Sequence, residues 1–95
     1  MTPSEKYSLR LYVTGLTPRS TRAITIVRAI CEEHLAGNYE LEIIDVYQMP
    51  HRISQDNVVA IPTLVKTRPE PMRLMIGDMT DRRRLLDGLG LPNDD

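Results

Sequence analysis

The chain has 95 residues, a formal net charge of −1 and 41% apolar residues, with neither Phe nor Trp. That length allows one domain over residues 1–95, which buries roughly 60–65% of its unfolded surface around Leu, Ile, Val and Met. Near-neutral charge argues against a nucleic-acid binder, the lone Cys31 excludes an internal disulfide, and no apolar run approaches the ~20 residues of a membrane span.

Tyr7 to Val13 alternates, with Tyr7, Leu9, Leu11 and Val13 on one face and Ser8, Arg10 and Tyr12 on the other. A period of two predicts a strand. Gly15 permits a turn, Thr17 is suited to an N-cap and Pro18 to the first helical position. From Arg19 to Leu35 the residues Ala23, Val27, Ile30, Cys31 and Leu35 fall on one helical stripe, and Gly37 supplies a left-handed stop. Glu40 to Val46 reads as a second strand, which makes a right-handed βαβ unit with parallel strands.

Pro50 to Val59 allows either a short helix capped by Ser54 or Asp56, or an irregular connection. Thr63 to Thr67 reads as a strand, Arg68-Pro69-Glu70-Pro71 as a stiff turn, and Met72 to Ile76 as the antiparallel return. Thr80 is placed to cap a last helix from Asp81 to Leu86 or Asp87, which Gly88 and Gly90 end. The order βαβαββα is that of a thioredoxin-like α/β domain. In that layout the turn after the first strand carries the redox motif, and Ile61-Pro62-Thr63 faces it with a cis proline. Residues 14 to 21 contain no cysteine. The scaffold is therefore expected to bind and not to catalyse, because a thioredoxin-type oxidoreductase needs a thiol there.

Several motifs together carry a family resemblance: Leu11-Tyr12-Val13 with Gly15 and Thr17-Pro18, Arg22-Ala23, Ile44-Asp45-Val46, Pro62-Thr63-Leu64, Pro69 with Pro71, and Ile76-Gly77-Asp78 with Asp81-Arg82. On these residues the chain resembles the KaiB family of circadian clock proteins, from about Tyr7 to Leu89. The resemblance implies a non-enzymatic regulator that binds the N-terminal ATPase ring of a KaiC-like hexamer. It also implies two folds: a resting βαββααβ form that assembles into dimers and tetramers, and a rarer thioredoxin-like monomer that binds the ring. An alternative partner is a sensor histidine kinase or another stress-response protein. No catalytic residue, cofactor, metal, nucleic acid or membrane partner is expected, and the polar N-terminus suits a cytoplasmic protein.

Arg22, beside the Gly15–Pro18 turn, is the first candidate for partner contact. Lys66 and Arg73, on facing strands, are placed either to extend that basic surface or simply to be solvated neighbours. Glu40 and Glu42 lie on the edge of the second strand, where clock relatives recruit further components with small or basic residues. By resemblance, Tyr7 and Gly88 belong to the fold switch, with Pro62 and Gly90 in the same group. Arg82-Arg83-Arg84 reads as the solvated face of the last helix or as a contact with acidic residues. Cys31 is expected to be a buried structural thiol, and His34 and His51 to be solvent-facing or turn residues. Asp45, Asp78 and Asp81 are expected to close strands or cap helices.

Overall fold

A computed structural model describes residues 6–58, 60–77 and 79–92. Asp78 and Val59, which enter the expectations above, lie outside the described residues. The first strand, β1 (Tyr7–Val13), leads through a turn into helix α1 (Pro18–Leu35). Strand β2 (Tyr39–Asp45) follows, then a 3-10 helix, η1 (Pro50–Gln55). Strands β3 (Thr63–Arg68) and β4 (Arg73–Ile76) and helix α2 (Arg82–Leu89) complete the order. The sheet has four strands in the order β2-β1-β3-β4. β2 runs parallel to β1, while β3 is antiparallel to both β1 and β4. This is the thioredoxin-like layout expected from the sequence.

The alternation along β1 divides the interior. Leu9, Leu11 and Val13 are buried against Ala23, Val27, Ile30, Cys31 and Leu35 of α1 and against Leu85, Leu86 and Leu89 of α2. Tyr12, on the opposite face, packs with Ile44, Val46, Val58 and Val65, under Met49 and Ile53 from the η1 region. Two helices thus cover one face of the sheet and η1 covers part of the other. Each fully buried Leu or Ile contributes roughly 1.5–3 kcal/mol, so the stripe on α1 is enough to dock it.

Local chemistry fixes the element ends. Thr17 caps α1, its Oγ1 accepting from the Ser20 backbone N–H at 3.3 Å, with Pro18 at the first helical position. Gly37 does take a left-handed φ of 76°. It does so one residue beyond the C-cap Ala36, inside a turn closed by a 2.8 Å bond from the Asn38 N–H to the Leu35 carbonyl.

Three expectations need correction. Neither Ser54 nor Asp56 caps the start of η1: Met49 precedes it without a side-chain cap, and Asp56 stands instead at its C-cap, with its carboxylate in a buried pair with Arg10. Asp81, not Thr80, caps α2, accepting from the Arg84 N–H at 3.2 Å. Gly88 does not end that helix; it lies within α2, and Gly90 makes the left-handed C-cap with φ 74°. Burial of Leu89 carries the helix two or three residues past the expected stop.

Candidate functional site

At the end of the sheet where β1 and β2 finish, the turn into α1 is held by a small set of hydroxyls and one carboxylate. The buried Ser20 Oγ accepts from the Thr14 N–H at 3.0 Å and from Thr17 Oγ1 at 2.9 Å. Asp45 Oδ1 accepts from the Gly15 N–H at 3.1 Å and from the Tyr47 N–H at 2.9 Å, so it ties the β1–α1 turn to the loop leaving β2. Gly15 itself has φ 58°, a conformation for which glycine is suited. Across from this turn the Ile61–Pro62 bond is cis, as expected, and the Pro62 carbonyl accepts from the Gly77 N–H at 3.0 Å. Where thioredoxins carry thiols, this loop carries Thr14, Thr17 and Ser20.

Cys31 lies farther along α1 and is fully buried. Burial first, and then the neighbouring Glu32, push its thiol up to about 11, with Arg28 opposing. It stays protonated at neutral pH and makes a poor nucleophile. His51 is exposed and His34 is half-buried on α1. Among the described residues no group of His, Cys, Asp and Glu is placed to hold a metal ion.

The residues expected to meet a partner are distributed unevenly. Arg22 is exposed at the start of the second turn of α1. Lys66 and Arg73 are direct cross-strand partners, and Arg73 is exposed. Lys66, however, is only 5% exposed. It shares a face with Leu64 on β3, an interior strand of the sheet, so its stem is covered on the helix side. A continuous basic surface from Arg22 to Lys66 is not formed.

Glu40 and Glu42 are both exposed on the β2 edge and both are engaged. Glu40 pairs with Lys6 at 3.3 Å. Glu42 receives two bonds from Arg52, Nη1 at 2.9 Å and Nη2 at 3.0 Å, and lies 4.0 Å from Arg10 Nε. The Arg52 bonds hold the Glu42 carboxyl below its usual range, against a smaller opposing effect of burial. Behind this pair, Arg10 Nη1 donates to both oxygens of the buried Asp56 at 2.8 and 2.9 Å, and the Tyr12 hydroxyl donates to Asp56 Oδ2 at 2.7 Å. Burial, followed by the Asp56 hydrogen bond, pushes the Tyr12 hydroxyl up to about 12. Sequence reading missed this network. Its one legible sign is that Arg10 and Glu42 fall opposite one another once β1 and β2 are paired.

The structure brings Tyr7, Gly88 and Gly90 together at the end of α2. The Tyr7 hydroxyl donates to the Leu89 carbonyl at 2.8 Å, one of the last carbonyls that the helix itself leaves unpaired. A Cβ on Gly90 would lie 3.9 Å from that hydroxyl, while one on Gly88 would lie 2.5 Å from Met75 Sδ. Pro62 is elsewhere, at the start of β3. Of the basic run, Arg82 bonds to Glu33 and Arg84 donates to the Ile76 carbonyl.

Two residues at the loop end were not singled out in the sequence. Leu16, at the tip of the β1–α1 turn, is 92% exposed, and Tyr47, after β2, is 75% exposed. The sole sign of Leu16 is an apolar residue set between Gly15 and Thr17 in a turn.

Comparison with known proteins agrees with this geometry. The N-terminal domain of Synechococcus elongatus SasA is similar in structure, with a TM-score of 0.74 at 24% identity, covering 100% of this chain and 93% of that one. The germline thioredoxin Deadhead of Drosophila gives 0.73 at 15% identity, covering 92% of this chain and 81% of that one. These likenesses establish the fold. Sequence relatives are nearer. The circadian clock oscillator protein KaiB of Prochlorococcus marinus is 46% identical over 91 residues, 96% of this chain and 78% of the relative. That of Parasynechococcus marenigrum is 45% identical over 95 residues, 100% of this chain and 91% of the relative. The sequence profile of the KaiB domain matches residues 10–91, and with these relatives it shows that the chain belongs to the KaiB family.

Proposed function

We propose that this chain is a non-enzymatic, cytoplasmic clock regulator that docks on the N-terminal ATPase ring of a KaiC-like hexamer. The observation that carries the reading is the arrangement itself: a KaiB-family chain with strand order β2-β1-β3-β4 and residues 82–89 as a helix. That thioredoxin-like form is the one the family resemblance assigns to ring binding. The mechanism is a population shift. A ring that binds only one of two folds draws the chain into it by as much as its affinities for the two differ. The absence of cysteine from residues 14 to 21 supports a binding role over thiol chemistry at the turn.

Arg22 is the contact residue that this reading tests first, because it is exposed at the start of α1 and its replacement leaves the core untouched. Arg22→Glu is expected to weaken binding to a KaiC hexamer at least tenfold, about 1.4 kcal/mol, with an unchanged melting temperature. Native mass spectrometry after hours of incubation reads out the complex. Unaltered affinity removes Arg22 from the interface, and no complex with the unmodified chain removes the function.

A further inference from the structure

Charge runs in blocks along the first half of the chain. Residues 14 to 31 hold Arg19, Arg22 and Arg28 and no carboxylate, whereas residues 32 to 45 hold Glu32, Glu33, Glu40, Glu42 and Asp45 and no Lys or Arg. Folding turns the blocks into ends. Arg19 and Arg22 lie in the first turns of α1, where its dipole is also positive, while Arg28 lies past the middle of the helix. The glutamates lie toward its finish and on the β2 edge. On the β2 side of the loops that leave β1 and β2, Asp45 is used internally, by the Gly15 and Tyr47 N–H groups, and Asp56 by Arg10 and Tyr12. β4 finishes at this same end of the sheet, since its Ile76 pairs with Thr63, but at the edge away from β2, and α2 with its cap Asp81 follows from there.

Within this cationic end stand Leu16 and Tyr47. A Cβ added to Gly15 would lie 3.7 Å from Tyr47 Cδ2, so the Tyr47 ring lies over the residue before Leu16. Single exposed apolar residues are ordinary. These two are neighbours on loops that are each tied down, by Asp45 and by the Thr14–Thr17–Ser20 hydroxyls, so the display costs little ordering when a partner arrives.

We propose that Leu16 and Tyr47 form an apolar clip, set beside Arg19 and Arg22, that grips an acidic segment carrying one apolar side chain on the ATPase ring. The inference rests on the ring-binding reading above and adds the site and the chemistry of the segment it takes. Charge complementarity selects that occupant. A second copy of this chain would have to offer its acidic end, and head-to-tail contacts of that kind do not close into a dimer. Glu33, Glu40 and Glu42 at that end are also already bonded to Arg82, Lys6 and Arg52.

The experiment measures affinity for a KaiC hexamer with the full chain and with Leu16→Ser and Tyr47→Ser, each checked by its melting temperature. Both side chains are exposed, so both variants should fold. Each is expected to lose about tenfold in affinity or more, as contacts at the centre of an interface do. Binding by the unmodified chain should weaken as salt is raised from 50 to 500 mM, about tenfold, because the surrounding charges are solvent-screened. If both variants bind like the parent, the clip is wrong while ring binding stands. If the parent itself does not bind, the functional reading fails and the clip loses its occupant with it. Concentration-dependent self-assembly in sedimentation that Tyr47→Ser abolishes would assign the surface to a second copy, and overturn the proposal.

Discussion

Asp56 fastens η1 to the sheet, taking two bonds from Arg10 and one from Tyr12 while its own side chain is 5% exposed. A buried carboxylate is costly unless paired, and its partners are costly once it is removed. Asp56→Ala leaves a half-buried guanidinium and the Tyr12 hydroxyl facing a gap, so it should lower stability by about 3 kcal/mol. Tyr12→Phe removes the hydroxyl's contacts with Asp56 and with the Arg52 carbonyl but leaves the ion pair, which predicts a smaller loss of about 1–2 kcal/mol. Urea unfolding of both variants checks the order of the two effects. If Asp56→Ala costs no more than Tyr12→Phe, water has replaced the carboxylate and the network is not a fastening. The outer pair, Glu42 with Arg52, is more exposed and contributes less for the same geometry, because solvent screens it.

The helix α2 shows how one element can depend on a close approach. Gly88 in an ordinary helix interior would cost roughly 0.5–1 kcal/mol relative to Ala, so the substitution would normally stabilise. Here an added Cβ would meet Met75 Sδ at 2.5 Å and Cγ at 2.7 Å, and Met75 is buried. Gly88→Ala should therefore destabilise by roughly 1–3 kcal/mol, the usual cost of overpacking. Met75→Ala should cost less in the Gly88→Ala background than in the parent, with a coupling of about 1 kcal/mol. A double-mutant cycle in urea decides this, and simple additivity would mean that the Met75 side chain swings away without resistance. The same helix marks where sequence reading stops. Local rules placed β1, α1, β2 and the cap at Thr17, because each depends on a short period or on one hydroxyl beside one proline. They stopped α2 at Gly88 because they do not see Leu89 docking in the core or Tyr7 reaching its carbonyl. Lys66 was read as a surface residue for the same reason: its burial comes from β3 lying between β1 and β4, which is a property of the whole sheet. Around the candidate site, the turn and the exposed position of Arg22 beside it were legible. Leu16 and Tyr47 were not, since their significance lies in what fails to cover them.

Across the whole molecule, the first strand and the last helix meet at one place. β1 begins with Tyr7, α2 ends at Leu89, and the bond between them joins the first described strand to the last helix. Gly90 makes that meeting possible, with its left-handed φ of 74° and its N–H turned back to the carbonyls of Leu86 and Asp87. On the proposed two-fold reading, the region 81–87 would run as a strand in the resting fold, so the stability of α2 would bear on which fold a solution contains. Its sequence favours the helix, with Arg and Leu as good formers and no β-branched residue between Asp81 and Gly90. An Ala at a left-handed position costs about 1–2 kcal/mol, and Asn, which tolerates it, costs less. Gly90→Ala should therefore increase the population lacking an intact α2 about fivefold for each 1 kcal/mol lost. Hydrogen exchange at the amides of Leu86 to Leu89 measures this directly. Protection should fall about fivefold or more in Gly90→Ala and recover partly in Gly90→Asn. Equal protection in all three proteins would show that packing of Leu85, Leu86 and Leu89, without the cap, holds the helix.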